Sequence, residues 1–405
     1  WISSLTDEAI AKGMENLRPC SLFDNLFLAA DSRNKADWLL GVNSSYAVCK
    51  AVGFGNNSLG RVQTPVLAAI SGRYRERENH IPADSWPVFV SLCKNGKIIK
   101  MRHVEDFCNR RDALELYEDC KAAGYARITA VSSRTEEITA PALYNLTGLQ
   151  KDANRYHNLT AIRVQEITQS LYEKKLISCP RTSSRLLPGD MYDMLPPVME
   201  KLLSGKEFRQ YAGMIDLAAR KGVTGNQDTA EHHAIVITGI QPGELDREER
   251  LVYTLVVGRM LETFMPPCKV EYTTVEAVCA ARKFRIRTYR ILETGWLGIF
   301  QRERLVAEDN DLCPVPPELF REEKLPVTGC SLIHRKSLPA APYTDEELAD
   351  YMDKTGLGTA STRTNIIRTL LERKYIRYSG KYIIPTPKGL LLYETVRGMK
   401  VADSS

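Results

Sequence analysis

The sequence lacks the long apolar runs and the short motifs that mark several large classes of protein. Its best apolar stretches, such as 251–257, fall far short of the ~18 residues that a membrane helix needs. No GxGxxG, HExxH or GxSxG motif is present, nor a GxxxxGK followed by Ser or Thr. Internal repeats and low-complexity segments are also missing. We therefore expect neither a membrane protein nor a small-molecule enzyme of these classes.

Cysteine is present, but not in the patterns of metal sites or disulfide scaffolds. None of the ten cysteines forms a C-x-x-C pair, so zinc fingers and ribbons are excluded. Ten cysteines in 405 residues are too few for a disulfide scaffold, and we expect a reducing, cytoplasmic location. Asp309 and Asp311 form an Asp-x-Asp pair, but they lie in an acidic, proline-rich connector over 306–327. We predict no metal site there.

The charge is balanced overall and clustered locally. The chain has 55 Lys and Arg against 50 Asp and Glu, a net charge of +5. One basic cluster runs from Arg61 to Arg77 and contains the acidic residue Glu76. Another runs from Arg363 to Lys381 and contains the acidic residue Glu372. Such runs suit a solvated helix face or a nucleic-acid contact, and charge alone does not choose between them.

Hydrophobic periodicity predicts an α+β, multidomain chain. Helical patterns fill 1–79, run from 141 to about 219 and resume from Thr344, and strand patterns fill 86–104, 125–138 and 268–300, with a short helix over 111–123. Within them we predict a helix over 21–52 interrupted near Gly41 and helix continuing from 185 to about 219. The alternation from Trp86 with Asn95-Gly96 predicts a hairpin, and Thr344 with Glu347 a capping box. Two β segments flanking a helical block indicate that the block is inserted in a β domain.

Four segments combine residue types that could carry chemistry. They are 32–41 with Arg33 and Trp38, 59–65 with Arg61 and Gln63, 176–185 with Cys179, Arg181 and Arg185, and 231–235 with His232 and His233. Each also has an ordinary interpretation. Arg33 would suit a solvated helix, Gly60 the end of a loop, the two histidines the surface, and Cys179 a small buried position.

Together with Gly295-Trp296 and 358–363, these segments resemble the type IA DNA topoisomerases, most closely the bacterial topoisomerase III-like enzymes. The six motifs occur in the order of that family, and the resemblance runs from Trp1 to about Leu391. It implies a toroid. Its helical gate base would come from 1–79 and 337–405, its β arches from 80–140 and 246–336, and its helical cap from 141–245.

The resemblance implies a mechanism in which a Tyr hydroxyl attacks a backbone phosphorus and holds the 5′ end as a phosphotyrosine. Another strand passes, and the 3′-OH reseals the break without ATP, because the covalent bond stores the energy. Arg181 and His232 would contact the reacting phosphate. Residues of a single-strand groove would be Arg33, Arg61, Gln63, Arg185 and Arg363, with Trp38 as a stacking surface.

Two departures from the family affect activity. Cys179 occupies the position of the nucleophilic Tyr. Its side chain is shorter than that of Tyr, and its sulfur is softer than a phenol oxygen. Ser183 stands where many members have Asp. Tyr172, one helix turn upstream, is expected to be a packed helix residue.

The second departure concerns a domain. Members begin with a Toprim domain whose acidic cluster binds Mg²⁺, whereas this chain begins with Trp1 and resembles the linker that follows it. We expect a monomeric piece of a longer protein that binds single-stranded DNA, holds no metal itself and does not cleave DNA.

Two alternatives remain open. The first is a non-catalytic protein that binds single-stranded nucleic acid and derives from the toroid. The second is a winged-helix regulator, suggested by two helices and a hairpin over 343–389, although it leaves the first 340 residues unexplained.

Overall fold

The computed structural model describes residues 7–53, 57–188, 195–205, 208–216, 233–300, 312–314 and 318–403. The chain divides into two compact units. The helical unit consists of Trp1–Asn79, Pro141–Thr263 and Ala340–Ser405, and the sheet unit of His80–Ala140 and Phe264–Pro339. Among the described helices, none is long and apolar enough to cross a membrane.

The first segment of the helical unit is built from long helices. Its elements are α1 (Asp7–Glu15), a 3₁₀ turn (Cys20–Phe23), α2 (Asp24–Val52) and α3 (Gln63–Glu78). The predicted interruption near Gly41 is wrong, since α2 continues through it. An interior glycine costs only about 1 kcal/mol relative to alanine, too little to break a helix of this length. The helix ends at Gly53, which has a left-handed φ of 78°.

The middle segment of the helical unit carries further helices. They are α5 (Leu146–His157), α6 (Ala161–Glu173), α7 (Leu195–Ser204), a 3₁₀ turn (Arg209–Met214) and α8 (Arg247–Thr263). The helix predicted directly after 185 is wrong, because the chain stays extended to 188. Helix α8 packs on α5 and α6, whereas the resemblance places 246–336 in a β arch. Its apolar residues are buried on several sides, which hides the helical period.

The last segment completes the helical unit. It contains α9 (Asp345–Lys354), α10 (Ala360–Glu372), the strands β10 (Ile376–Ser379) and β11 (Tyr382–Pro385), and α11 (Pro387–Val396). The predicted capping box at Thr344 and Glu347 is confirmed. A shared core joins this block to α3 through Leu67, Leu370 and Leu392.

The sheet unit is a mainly antiparallel sheet that closes on itself, with one parallel pair of strands. Its elements are β1 (Asp84–Ser85), β2 (Val88–Lys94), β3 (Lys97–His103), α4 (Arg110–Ala122), β4 (Tyr125–Ile138), β5 (Cys268–Cys279), β6 (Arg282–Glu293), β7 (Leu312–Pro314), β8 (Lys324–Leu332) and β9 (Arg335–Lys336). The order is β3-β2-β8-β4-β5-β6-β7, with β3 also pairing with β6. The predicted hairpin at Asn95-Gly96 is confirmed as β2–β3.

The core of the sheet unit lies between the sheet and α4. It includes Val90, Leu116, Ile128, Val275 and Phe284, all buried. The end of the predicted connector is β-strand, because β8 begins at Lys324. Asp309 and Asp311 lie outside the described residues.

Candidate active site and nucleic-acid groove

The segment that carries Cys179 lies outside regular secondary structure over 178–185 and alternates between buried and accessible side chains. Ser178, Pro180 and Thr182 are buried. The residues between and after them are half-buried or exposed, namely Cys179, Arg181, Ser183 and Arg185. The Thr182 N–H donates to the carbonyl of Pro180 at 2.9 Å and closes a tight turn within the segment. The alternation leaves the side chains of Cys179 and the two arginines accessible.

Hydrogen bonds from 234–237 hold this segment in place. The Ser178 backbone N–H donates to the carbonyl of Val236 at 2.8 Å, and the Val236 N–H donates to Ser178 Oγ at 3.0 Å. Ser178 Oγ in turn donates to the carbonyl of Ala234 at 3.1 Å. The small hydroxyl beside Cys179 thus replaces part of a strand ladder.

The N-terminus of α5 holds the other end of the segment. The Asn145 side chain caps α5 by accepting from the Gly148 N–H at 2.8 Å and donates from Nδ2 to the carbonyl of Ser183 at 2.9 Å. The Leu146 N–H donates to the carbonyl of Thr182 at 3.1 Å. These contacts place 181–185 against α5.

Arg259 on α8 stabilises the neighbouring loop from inside the unit. Its guanidinium donates to Asp152 Oδ2 at 2.7 Å, to Glu262 Oε2 at 3.0 Å and to the carbonyl of Ala142 at 3.2 Å, and it lies 4.1 Å from the Tyr144 ring centroid. The Tyr144 carbonyl accepts from the Ile235 N–H at 2.7 Å. A buried ion network thereby supports the strand that flanks the Cys179 segment.

Helix α6 brings polar side chains next to the Cys179 segment. Arg181 is exposed, and its Nη2 donates to Gln169 Oε1 at 3.4 Å. Burial raises the pKa of the Tyr172 phenol; the neighbouring Cys179 thiol raises it further, and the Arg181 guanidinium opposes both. Tyr172, one turn after Gln169, is half-buried on the helix.

The structure describes one of the two histidines of the 231–235 segment. His232 lies outside the described residues. His233 is buried, and its Nδ1 lies 2.7 Å from the carbonyl oxygen of Ala234. The sequence interpretation of both as surface residues is therefore wrong for His233, whose ring packs into the unit.

A groove in the helical unit collects residues from four distant parts of the chain. It encloses about 510 Å³. Its lining is Arg33 and Leu40 from α2, Arg61 and Val62 before α3, 355–359 between α9 and α10, and Lys400, Val401 and Asp403 near the end. The structure thus brings Arg33, Arg61 and the 358–363 motif together. Lys400 adds a third cation that no sequence motif marks.

Ion pairing and a tight turn fix the arginine at the mouth of this groove. Arg61 Nε lies 2.8 Å from Asp37 Oδ1, and both side chains remain about half exposed. The Gly60 N–H donates to Thr64 Oγ1 at 3.0 Å. A Cβ on Gly60 would lie 3.0 Å from the Gln63 side chain, so a larger residue would displace that glutamine.

Gln63 itself lies close by but does not line the cavity. Its Oε1 accepts from Arg373 Nη1 at 2.6 Å, and its Nε2 donates to the carbonyl of Ser58 at 3.2 Å. Trp38 on α2 is 66% exposed. Neither is among the residues that enclose the groove.

Arg185 and Arg363 both lie beside the start of α5. Arg185 is exposed, with Nη2 3.8 Å from the Cβ position of Gly148. Arg363 is only 8% exposed and donates to Asp353 Oδ1 at 2.6 Å, to Thr147 Oγ1 at 3.2 Å and to the carbonyls of Leu357 and Gly358. Arg363 therefore holds the 355–359 loop in place through hydrogen bonds to two of its carbonyls.

The Gly295-Trp296 pair lies in the sheet unit, where its role in the fold is clear. Gly295 has a φ of +50°, and a Cβ there would approach the carbonyl oxygen of Pro267 to 2.5 Å. Trp296 is buried and donates from Nε1 to the carbonyl of Ile138 at 3.0 Å. This motif ties the ends of β4 and β5 together.

The described residues do not supply a metal site. Among the parts of the chain that the structure describes, no group of three or more His, Cys, Asp or Glu is placed to hold a metal ion. The resemblance places the magnesium in the Toprim domain, and the described residues offer no ligand set for it.

Comparisons with known proteins agree on one family. The family model for DNA topoisomerase matches residues 21–404. DNA topoisomerase 1 of Methanocaldococcus jannaschii is 30% identical over 98% of this chain and 51% of its own length. DNA topoisomerase 3 of Bacillus licheniformis is 29% identical over 98% of this chain and 58% of its own.

A solved structure shows the same fold. The full-length topoisomerase I from Thermotoga maritima superposes with a TM-score of 0.76 at 20% identity, covering 97% of this chain and 64% of that one. The chain thus spans between about half and two-thirds of the length of these relatives. Both the sequence match and the α+β fold lead to one assignment: this chain belongs to the type IA DNA topoisomerase family.

Proposed function

We propose that this chain is the part of a type IA topoisomerase that grips a single DNA strand and carries the nucleophile position. The complete polypeptide of this family would cut and rejoin one strand to change DNA topology. With Cys179 in place, this chain binds single-stranded DNA as a monomer and does not cut it. The observation that carries the proposal is the groove, where Arg33, Arg61 and Lys400 meet from three distant segments.

The groove has the chemistry of a backbone-binding site. Guanidinium and ammonium groups attract phosphates, and the resulting affinity falls with salt because bound counterions are released. Asp37 pairs with Arg61, so the arginine is held in one direction before DNA arrives. The hydroxyl of Thr359, which lines the groove, adds a neutral hydrogen-bond partner for a phosphate oxygen.

The accessible side of the Cys179 segment supports the placement of the chemistry. A nucleophile at 179 would attack phosphorus, break the bond to the 3′ oxygen and leave a 5′-phosphoryl linkage to the protein. Arg181, exposed two residues further along, would face the same phosphate and stabilise its developing charge. Cys179 itself has a soft sulfur and a short reach, so we propose that it does not perform this attack.

Charge reversal in the groove tests the binding proposal. Arg33→Glu with Arg61→Glu should weaken binding of a fluorescent oligothymidylate at least tenfold and flatten its salt dependence, because phosphate contacts are lost. Fluorescence anisotropy over a salt series measures both. Lys97→Glu with Arg111→Glu, two exposed positions in the sheet unit, is the matched control. Equal losses in both double variants, or tighter binding to blunt duplex, would refute the proposal.

Restoring the phenol tests the nucleophile position. Cys179→Tyr in the complete polypeptide should create a denaturation-resistant adduct with the label on the 5′-phosphate side, and the Cys179 form should give none. In this chain alone, Cys179→Tyr should form the DNA adduct too slowly to detect. General acid catalysis, typically worth roughly 10²–10⁴-fold in rate, would be missing. Tyr172→Phe is the control. An adduct in the Cys179 form that Tyr172→Phe abolishes would move the nucleophile to 172.

A second candidate function rests on Cys179 alone. If position 179 is cysteine in the working protein, the fold serves as a non-catalytic clamp for single-stranded nucleic acid. The two functions differ in one measurement: relaxation of supercoiled plasmid by the complete polypeptide that carries Cys179→Tyr, which is expected of the topoisomerase and not of the clamp. Relaxation that survives Cys179→Ala would exclude both residue 179 as nucleophile and the clamp.

A further inference from the structure

A second cavity lies on the sheet unit, away from the groove and the Cys179 segment in sequence. It encloses about 290 Å³ and is lined by residues of β4, β5 and β6. The residues that argue for a function are Ser132, Arg134, Tyr272, Thr274 and Arg287. None of the described lining residues is acidic.

Strand register places these five side chains on one face. Ser132 pairs with Thr274, which pairs with Arg287, so the three form one cross-strand row. Arg134 pairs with Tyr272 two residues further along, and residues two apart share a face.

The core lies on the other face. Val131, Val275 and Ile286 form the row next to Ser132, and Val275 and Ile286 belong to the hydrophobic core. The five side chains therefore lie on the face of the sheet turned away from that core, and the row between them completes the cavity lining with Ser133, Thr273 and Thr288.

Both arginines lie near the Tyr272 phenol. The Arg134 guanidinium carbon is 5.9 Å from the Tyr272 ring centroid. Burial is the main cause that raises the pKa of Tyr272, and Arg134 and Arg287 both act against it. Arg134 Nε also lies 3.0 Å from Glu136 Oε1, and the Glu136 side chain is about half exposed. A phosphate entering the cavity would compete with that carboxylate.

We propose that this cavity is a second binding site for single-stranded nucleic acid, in which Arg134 and Arg287 contact phosphates and Tyr272 stacks on a base. The identity of the ligand rests on the proposed function. Guanidinium groups and hydroxyls are the side-chain donors that phosphate oxygens accept from, and an aromatic ring beside them adds a stacking surface. Ser132 and Thr274 supply the hydroxyls.

The test removes the two sites separately in the full chain. Binding of an oligothymidylate about twelve nucleotides long, within the usual span of such sites, is followed by anisotropy. The variants are Arg134→Ala with Arg287→Ala, Arg33→Glu with Arg61→Glu, and all four together. In the background that lacks the groove arginines, loss of Arg134 and Arg287 should reduce the residual affinity about tenfold and lower the salt slope by about 1.

A matched control keeps the change in charge constant. Arg282→Ala with Arg290→Ala removes two exposed arginines of β6 that do not line the cavity and should change affinity less than twofold. Tyr272→Phe should bind as the parent does, and Tyr272→Ala about tenfold more weakly. An oligonucleotide carrying 5-iodouracil should crosslink to the β5 peptide that contains Tyr272.

The outcomes separate this proposal from the groove. If loss of Arg134 and Arg287 has no more effect than the control and no β5 crosslink forms, the second site is refuted while the groove stands. If Arg33 and Arg61 prove irrelevant but the cavity variants lose binding, the groove falls and the second site stands. Binding of inorganic phosphate that depends on Arg134, without oligonucleotide binding, would overturn the assignment to nucleic acid.

Discussion

Among single residues, Glu249 shows how the helical unit uses a buried charge. Its carboxylate accepts from Lys174 Nζ at 2.6 Å, from Ser170 Oγ at 2.7 Å and from the Asp246 N–H at 3.1 Å. These donors, Lys174 first, lower the pKa of Glu249 to about 2. The residue ties the start of α8 to the end of α6, which leads directly into the Cys179 segment.

The lowered pKa of Glu249 predicts an acid-sensitive contribution to stability. Because the folded pKa lies below the unfolded value, the contribution is complete above about pH 4.5 and is lost as the pH falls toward 2. Glu249→Gln should therefore cost about 1–3 kcal/mol at pH 7 and less at pH 3.5. Urea unfolding at pH 7 and at pH 3.5 measures this change in the free energy of unfolding. Glu248→Gln, at an exposed neighbour, is the control and should cost under about 0.5 kcal/mol.

Single residues also mark how much of the site a sequence could reveal. Arg33 and Arg61 were predicted for one groove and do line one groove. Lys400 was missed, because a lone lysine near the end of the chain carries no periodic or motif signal. The burial of Arg363 was unforeseen too, since an arginine looks the same in a sequence whether Asp353 or a phosphate receives it.

At the scale of elements, two hairpins of the sheet unit use the same turn with different residues. Asn95 and Gly96 have φ values of 50° and 77°, and Ala280 and Ala281 have 48° and 57°. Both residues of such a two-residue turn are left-handed, a conformation that Asn and Gly adopt easily and alanine does not. The β5–β6 turn therefore retains strain that the β2–β3 turn avoids.

Opposite substitutions in the two turns should have opposite effects. Ala281→Gly should stabilise the sheet unit by about 0.5–1 kcal/mol, because relief of the left-handed penalty exceeds the added entropy of unfolded glycine. Gly96→Ala should destabilise it by about 1 kcal/mol. Thermal unfolding of both variants gives the comparison. A lower melting temperature for Ala281→Gly would show that the turn is not strained.

Elements were predicted where local signals decide them and missed where packing does. The β2–β3 hairpin and the α9 capping box depend on a few adjacent residues, and both are confirmed. The resemblance places α8 in a β arch, and the sequence pattern does not predict the helix, because burial on several sides masks its period. The strands β10 and β11 were found from their turn, whereas α11, which follows directly, was not predicted.

At the scale of the molecule, the C-terminal block and the first helices share one core. Leu370, Ile383 and Leu392 belong to the same buried cluster as Val66 and Ile70 of α3. The block that resembles a winged helix in sequence therefore gives its apolar face to α3. This arrangement explains why a basic C-terminal run can lie near the groove that α2 lines.

The shared core predicts that the C-terminal block does not fold well alone. Residues 343–389 expressed separately should unfold at low temperature and bind DNA weakly, because the apolar face that α3 covers would be exposed to water. Circular dichroism with heating measures the transition, and a fusion of 24–79 to 340–403 is the positive control. A cooperative fold with sequence-specific DNA binding would favour the regulator that the sequence left open.

The two-unit division could be anticipated only in part. Alternating strand and helix patterns indicated an inserted helical block, because each period is visible within one window of sequence. The order of strands was not accessible, since β8 lies between β2 and β4 although it follows both by more than the whole inserted block. Pairing between distant segments depends on side-chain fit that no local pattern records.

That interleaved strand order has a consequence for synthesis on the ribosome. The strands β2, β3 and β4 emerge first, but β2 and β4 each need β8, and β4 needs β5, before their hydrogen bonds are complete. Everything from Pro141 to Thr263 is translated in between. At about 5–20 residues per second the early strands wait roughly 6–25 seconds with open edges. The nascent chain therefore passes through a stage in which unpaired strand edges are exposed, and the rate of translation across 141–263 sets how long that stage lasts.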